Sequence, residues 1–243
     1  MAARTHASFF LPCLSTIVIL ICFHSHTQYA GGRKYEVDRA AKLLPQLLQL
    51  KEDYALEATD ADNAQLIADL NSHKMMPLGS KDDGKRSLVW VRIRYHDPKK
   101  SKPHDMARMI ATNMLHVMKD VDAQRYGLVI VNDMTGLGLK NLDPGMAKKL
   151  FGEVFPRLPI RIGKICIFNP PWIVGHVILP LVMTFMSKKL KSRITIINGS
   201  KTEKLHAIVP PASLPKDLGG TLEFDEDKFA EMMIAGLPKP VVS

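Results

Sequence analysis

The order of apolar and polar residues along the 243-residue chain predicts short strands separated by helices. Ser87–Tyr95 alternates apolar with basic positions, which is typical of a strand with one solvent-exposed face. Tyr126–Asn132 is a continuous apolar and β-branched run, which indicates a strand buried on both faces. Further strands are predicted at Lys164–Phe168 and Arg193–Ile197, with helices at Asp105–Asp120 and Pro144–Phe155. Alternating strands and helices predict an α/β fold with a largely parallel sheet.

The segment before these strands is predicted to be mainly helical. Residues 33–57 place apolar side chains three and four positions apart, which gives an amphipathic stripe. Pro45 is expected to break this pattern or to begin a second turn of helix. Residues 58–70 are polar and rich in Ala and Asp, and the proline, glycines and aspartates between Met76 and Gly84 predict a loop.

Residues 165–187 contain no formal charge over 23 positions, which by length alone would suit a transmembrane helix. We reject that interpretation because Asn169-Pro170-Pro171 interrupts the stretch, and consecutive prolines force extended or turn geometry. The remainder is a predicted helix of about 19 residues, Trp172–Leu190, that is apolar on nearly every side. In a chain of this size we expect such a helix to cover a hydrophobic cavity with one face and to touch a membrane with the other.

The formal net charge of +9 is concentrated in one stretch. Lys140–Lys204 contains twelve basic and three acidic side chains, so this stretch alone carries +9 and the rest of the chain sums to zero. A confined basic excess favours an anionic partner, with a solvated face that binds nothing as the alternative. We predict no nucleic-acid partner, because the basic residues flank an apolar helix and lack interleaved aromatic side chains that would stack on bases.

Residues 1–32 differ in character from the rest. Phe9–Phe23 is an apolar run of 15 residues with Arg4 before it and polar residues after it, which is the pattern of a signal peptide cleaved after Ala30. Gln28 stands where a small residue is preferred, so a membrane anchor and a non-native start are alternatives to a secretory signal. Only one of the three cysteines lies outside this segment, which excludes a disulfide framework and favours an intracellular body.

No enzyme signature in the chain is complete. Gly136 and Gly138 follow a predicted strand but lack the third glycine of a dinucleotide-binding loop, so we interpret them as a turn. The GxSxG, P-loop, HExxH and paired CxxC patterns are absent from the sequence. Cys166 is expected to be a core residue, and His176 a core or interfacial residue. We therefore predict a non-enzymatic protein with no catalytic residue, no metal site and no cofactor.

Four sequence landmarks occur in order in the second half of the chain. They are YGLVIVNDMTGL from Tyr126, LPIRIGKICIFNPPW from Leu158, KKLKSRI from Lys188 and LPKDLGG from Leu214. In this order and spacing they resemble the CRAL-TRIO lipid-binding domain family, over roughly Ser87–Phe224. Arg33–Tyr54 also resembles the second part of the family's N-terminal helical module, without the Arg-rich helical lead-in that precedes it in the family.

The resemblance implies a cage that holds one lipid, with a mixed, largely parallel sheet as its floor, flanking helices and a mobile gate helix. The chain's own apolar helix, Trp172–Leu190, corresponds to the gate helix. The implied residues of the lipid pocket and gate helix are Trp172, Ile173, Val177, Ile178, Leu181, Val182, Phe185, Met186, Val129, Val131 and Ile167. The resemblance also implies that Arg161, Lys189 and Arg193 contact the phosphates of a phosphoinositide.

Two positions depart from the family pattern. Relatives that bind inositol lipids use a glutamate where Ile160 stands, so phosphatidylinositol is not expected inside this cage. The gate helix of many animal relatives contains Lys-Pro-Phe, and Met183-Thr184-Phe185 takes that place here.

The sequence thus predicts binding and intermembrane transfer of a hydrophobic lipid, with an anionic, phosphoinositide-containing membrane as the second partner. A membrane-attached phosphoinositide-sensing adaptor is the alternative. The expected domains are an atypical segment 1–32, a partial helical module 33–80, the lipid-binding domain 87–224 and a tail 225–243. The expected location is cytoplasmic and peripheral on membranes, or membrane-anchored or secretory if residues 9–23 act as an anchor or signal.

Overall fold

The computed structural model describes residues 37–59 and 63–238, so the predictions for residues 1–36, including the apolar run Phe9–Phe23, lie outside the described residues. A five-stranded sheet forms the centre of the described part, in the spatial order β1 to β5. Its first pair is antiparallel and the other three pairs are parallel, which confirms the predicted mixed, largely parallel sheet. The strands are β1 Met75–Lys81, β2 Ser87–Val91, β3 Leu128–Asp133, β4 Ile162–Phe168 and β5 Ile194–Ile197.

Helices connect the parallel strands and flank the sheet. They are α1 Val37–Asp53, α2 Ala64–Leu70, α3 Pro103–Val117, α4 Val121–Tyr126, α5 Pro144–Lys149, α6 Leu179–Thr184, α7 Lys188–Lys191, α8 Glu203–His206 and α9 Glu226–Ala235. Two π-helical turns, Leu150–Val154 after α5 and Val174–Ile178 before α6, extend helical structure beyond these bounds. Short 3-10 turns lie at Ile93–Tyr95, Leu139–Asn141, Phe155–Arg157, Pro211–Ser213 and Lys216–Leu218.

The alternation of side chains along the strands divides the core into two layers, one on each face of the sheet. Val89, Ile130 and Ile165 belong to the larger layer, which packs against α3, α5 and the segment after β4. Trp90 and Cys166 belong to the smaller layer, which is closed by residues 205–218. The two faces of one sheet are therefore covered by different parts of the chain.

Strand β1 corrects the prediction of a loop around Met76–Gly84. Met75–Lys81 pairs with β2, although Pro77 lacks a backbone N–H and Gly79 adopts a positive φ of 69°. Both residues are tolerated because β1 is an edge strand, where one side of the backbone needs no partner. The register also shifts between Pro77 and Lys81. Turn-forming residues thus occur inside a strand whose Met76 and Leu78 are buried.

Helix α1 continues through Pro45, although the proline was expected to break the helix or to start a new turn. Pro45 lies on the exposed side of the helix, whereas Leu43, Leu47 and Leu50 are buried. Burial of this apolar stripe offsets the backbone hydrogen bond that a proline removes.

Other element bounds also differ from the prediction. Strand β2 ends at Val91, because Ile93–Tyr95 turns into a short 3-10 helix. The segment predicted as a C-terminal tail contains α9, in which Ala230 and Met233 are buried. The Arg92 guanidinium pairs with the carboxylate of Glu226, so that α9 is tied to the end of β2.

A buried ion pair connects α2 to the start of β1. Asp69 and Lys74 are each 3% exposed, and the Lys74 ammonium contacts the Asp69 carboxylate. The Ser101 hydroxyl donates a hydrogen bond of 3.0 Å to the same carboxylate. Since a buried charge without its partner is strongly destabilising, this contact fixes α2 against the sheet.

We predict that Asp69→Asn lowers the free energy of unfolding by about 3 kcal/mol, because it leaves the Lys74 ammonium buried without a counter-charge. Denaturant unfolding followed by circular dichroism measures this change. Asp83→Asn is the matched control, since Asp83 is exposed in the turn between β1 and β2. Equal stability of the two variants would show that the Asp69–Lys74 pair does not matter to the fold.

Candidate functional site

An apolar cavity of about 390 Å³ lies between the larger face of the sheet and the helices that cover it. This volume is within the range of roughly 300–1,000 Å³ that is typical of small-molecule sites. The floor is made by side chains of β1 to β4, one wall by α3 and another by α5 with the π turn after it. The lining is apolar except for Asn132, Asn141 and Asp143. Its main members are Met75, Val91, Ile130, Ile165, Ile167, Met106, Ile110, Met114, Met146, Leu150, Val174, Ile178, Leu179, Leu181, Val182, Phe185 and Met186.

The charges of the described lining residues restrict which ligands the cavity suits. Among the described residues that surround it, no lysine, arginine or histidine is present, and Asp143 is the one ionisable side chain. Burying a phosphate without a counter-ion is costly. The cavity is therefore suited to an uncharged, largely hydrocarbon molecule.

The roof of the cavity is the segment predicted as the gate helix. Asn169 takes a positive φ of 50° after β4, and Pro170-Pro171 directs the chain away from the sheet. Helical structure then begins at Trp172 and passes through the π turn Val174–Ile178, in which the Leu179 N–H donates to the Val174 carbonyl. The π turn precedes Pro180, which has no N–H to donate to the preceding turn. The gate helix thus runs from residue 172 to the end of α6 at Thr184.

The prediction of one continuous helix, Trp172–Leu190, is corrected by a break at Phe185–Ser187. The Thr184 hydroxyl donates to the Leu181 carbonyl at 2.7 Å, at the end of α6. Ser187 then caps α7, since its hydroxyl accepts a hydrogen bond of 3.2 Å from the Leu190 N–H. A serine in this position favours the start of a new helix over continuation of the old one. The basic residues after Ser187 therefore belong to a separate short helix.

The gate helix has an inner and an outer apolar side. Ile178, Leu181 and Val182, with Phe185 and Met186 just beyond the helix end, were predicted for the pocket and gate helix and all line the cavity. Leu181 and Phe185 are also 55% and 42% exposed, so they lie where the cavity meets solvent.

Trp172, Ile173 and Val177 were also predicted for the pocket and gate helix, but they do not line the cavity and are 72%, 39% and 51% exposed. The Trp172 ring stacks on the exposed His176 ring at a centroid distance of 5.1 Å. We call these four residues the outer face.

Val129 and Val131 do not lie where the sequence placed them. Ile167 lines the cavity as expected, but both valines pack in the smaller layer on the opposite face of the sheet. The reason is the period of two along β3, in which Ile130 and Asn132 face the cavity and their neighbours face away. A strand that is apolar on both faces gives no sequence signal for which set faces the ligand.

The three predicted phosphate-binding residues lie near the amino ends of the parallel strands. Arg161 immediately precedes β4, and its guanidinium donates to the Arg125 carbonyl at 3.1 Å. Arg193 immediately precedes β5, and its guanidinium donates to the Ile162 carbonyl. Because β4 and β5 are parallel neighbours, both arginines lie at one edge of the sheet. Lys189 is exposed in α7, which leads into the same edge.

Two basic residues that the sequence did not indicate lie at this edge as well. Arg125 is in α4, which ends at the start of β3, and Lys85 is in the turn before β2. The Lys85 ammonium lies 5.8 Å from the centre of the Tyr126 ring. Both residues are outside the basic stretch from residue 140 to 204, so only the hairpin of β1 and β2 and the parallel pairing of β2 with β3 bring them here. We call Lys85, Arg125, Arg161, Lys189 and Arg193 the basic edge.

Cys166 has the environment of a core residue. Its side chain is fully buried in the smaller layer, and burial raises the pKa of its thiol to about 11. A thiol with this pKa is almost entirely protonated at neutral pH, and the thiolate is the nucleophilic form. Cys166 therefore has no features of a catalytic cysteine.

Comparison with known proteins identifies relatives of this arrangement. A family model described as the CRAL/TRIO domain matches residues 70–220. The human tyrosine-protein phosphatase non-receptor type 9 is 25% identical over 226 residues, which cover 87% of this chain and 37% of that protein. The human alpha-tocopherol transfer protein-like is 26% identical over 212 residues, covering 86% of this chain and 61% of its own length. Rat clavesin-1 is 25% identical over 213 residues, which cover 85% of this chain and 60% of clavesin-1.

The chain thus spans between about a third and two thirds of the length of these curated relatives. Since the match to the phosphatase is confined to 37% of that protein, the activity in its name is not carried over to this chain.

The crystal structure of Sfh5 supports the same fold. It matches with a TM-score of 0.57 at 12% identity and covers 86% of this chain and 78% of the Sfh5 chain. Within the described ranges, no helix is both long and apolar enough to cross a bilayer.

Proposed function

The chain belongs to the CRAL/TRIO domain family, and from this premise we propose that it holds one uncharged lipid in the cavity and transfers it between membranes without catalysing a reaction. Membership in the family implies lipid binding. The observation that carries the finer proposal is the apolar cavity of about 390 Å³ under a helix that is apolar on both sides.

Binding in this cavity requires no catalytic group. Transfer of apolar surface out of water contributes about 25 cal/mol per Å², so burial alone provides affinity for a hydrocarbon body. The absence of lysine, arginine and histidine from the described lining favours an uncharged lipid over an anionic phospholipid headgroup inside the cavity.

The ligand can leave only if part of the cavity wall moves, and we propose that the gate helix is the part that moves. Its inner side contacts the cavity through Ile178 and Val182, and its outer face presents Trp172 and Val177 to solvent. Displacing the gate helix exposes its inner apolar side chains, and this costs less in the apolar part of a bilayer than in water.

The basic edge is suited to dock the protein on an anionic membrane that contains phosphoinositides. Lys189 is exposed in α7, which follows the gate helix after the break at Phe185–Ser187. A basic side chain near an anionic lipid surface contributes about 1 kcal/mol of attraction. We propose that Arg161, Lys189 and Arg193, with Lys85 and Arg125, make these contacts.

We predict that liposomes with anionic phosphoinositides accelerate ligand transfer relative to neutral liposomes, and that Lys189→Ala with Arg193→Ala removes the difference. The double substitution should weaken docking by about 2 kcal/mol. The measurement is the transfer rate of a fluorescent neutral lipid from the full chain to each kind of liposome.

The matched control is Lys216→Ala with Lys228→Ala, which removes the same charge from exposed positions outside the basic edge. Equal transfer to both liposome types by the unchanged protein, or equal loss in the control, would contradict docking by the basic edge. Thermal unfolding of each variant separates this effect from loss of the Arg193 contact with the Ile162 carbonyl.

We predict that a valine-to-aspartate substitution has different effects on the inner and outer sides of the gate helix. Val182→Asp places a carboxylate in the cavity and should weaken retention of an apolar dye such as Nile red by more than tenfold. Val177→Asp places the same charge on the outer face, so it should leave retention unchanged and slow transfer to liposomes. Equal dye retention by the two variants would refute the assignment of inner and outer sides.

A further inference from the structure

Among the described residues, one polar side chain on the floor of the cavity makes no hydrogen bond. Asn132 is in β3 and contributes to the lining of the cavity. Within residues 37–59 and 63–238, its side-chain amide makes no hydrogen bond, either to a side chain or to the backbone. An amide carries two N–H donors and one carbonyl acceptor. Asn132 is half-buried, so a ligand that fills the cavity removes its amide from water, and a ligand with a polar group can pair with it and avoid the cost of leaving it unpaired.

The surroundings of Asn132 on the sheet are otherwise apolar. Its neighbours in register are Val91 on β2 and Ile167 on β4, and both line the cavity. The positions two residues away along β3 are Ile130 and Met134, which line it as well. The amide is therefore an isolated polar group at a defined place in the cavity floor, where an apolar residue would fit the local pattern better.

The other two polar side chains of the lining are already engaged. The Asn141 amide donates to the carbonyls of Arg94 and His96 at 2.9 and 2.8 Å, and its oxygen accepts from the Gly138 N–H at 3.0 Å. The Asp143 carboxylate accepts from the Gly145 N–H at 3.0 Å, as the cap of α5. Asn141 thus has a structural role in a loop, and Asp143 can act toward a ligand only as an anionic acceptor.

We propose that the Asn132 amide is the polar anchor of the cavity and binds the hydroxyl or carbonyl group of an otherwise hydrocarbon, uncharged lipid. This inference rests on the proposed function, since it assigns the ligand class of the same cavity. The amide accepts from a hydroxyl through its oxygen and donates to a carbonyl through its nitrogen. A lipid with no polar group leaves the amide unpaired, and an anionic headgroup finds no counter-ion among the described lining residues.

Three probes of equal carbon number test this anchor: dodecan-1-ol, dodecan-2-one and dodecane, each competing with bound Nile red on the full chain. We compare each dissociation constant in a variant with that in the unchanged protein, so that differences in water solubility cancel. Asn132→Leu should weaken the alcohol and the ketone by about tenfold, the effect of one hydrogen bond. It should leave dodecane unchanged or bound more tightly.

The ketone distinguishes Asn132 from Asp143, because a ketone cannot donate a hydrogen bond to a carboxylate. Loss of alcohol binding alone, with ketone binding unchanged, would overturn the role of the Asn132 N–H donors. Unchanged binding of both polar probes in Asn132→Leu would overturn the anchor altogether, while displacement of the dye by dodecane would still support the proposed lipid cavity. Failure of all three probes to displace the dye would contradict both proposals.

Two further variants separate the effect of the Asn132 amide from a general disturbance of the cavity. Asn132→Ser retains a hydroxyl at this place and should keep part of the preference for the polar probes. Ile130→Leu changes a neighbouring lining residue without removing a polar group, so it should affect the three probes equally. A selective loss of the polar probes in Ile130→Leu would show that cavity shape, and not the Asn132 amide, sets the preference.

Discussion

The two faces of the sheet are covered in different ways, and the position of the cavity depends on this difference. Strand alternation sends Val129, Val131 and Cys166 into a layer that residues 205–218 fill, and sends Ile130, Ile165 and Ile167 toward a space of about 390 Å³. Water finds few hydrogen-bond partners in an apolar cavity, and an empty cavity leaves the lining side chains without van der Waals contacts on one side. An apolar occupant would restore those contacts, which is why we propose that a lipid completes this face of the sheet.

In the proposed function the gate helix would link this cavity to a membrane, because its two sides meet different surroundings. Val182 contacts the cavity and Val177 faces outward, and the break at Phe185–Ser187 separates both from the cations of α7. The chain then enters the sheet edge that also carries Arg161 and Arg193. We propose that apolar contact by the outer face and electrostatic attraction by the basic edge act together in docking. A ligand that fills the cavity would also cover the half-buried Asn132 amide, which we propose as the partner of the ligand's polar group.

Much of this arrangement follows from sequence patterns, and the differences have physical causes. The runs that became β3 and β4 were predictable because they are apolar, β-branched and bounded by turn residues. Strand β1 was not, since Pro77 and Gly79 are turn formers that an edge strand tolerates. The apolar run of β3 shows no alternation of apolar and polar residues, so the sequence does not indicate which side chains face the cavity. Val129 and Val131 were therefore assigned to the cavity, although they lie on the opposite face of the sheet. Asn132 gave no signal, because a polar residue at the end of a strand is indistinguishable in sequence from the start of a loop.

The central claim is that the cavity holds one uncharged lipid. Native mass spectrometry of the purified full chain, followed by extraction and identification of what is bound, tests it most directly. We expect a complex of one chain with one neutral lipid that carries a hydroxyl or carbonyl group, and loss of that complex in Val182→Asp. A chain that binds no lipid, or one whose bound lipid is an anionic phospholipid unaffected by Val182→Asp, would contradict the claim.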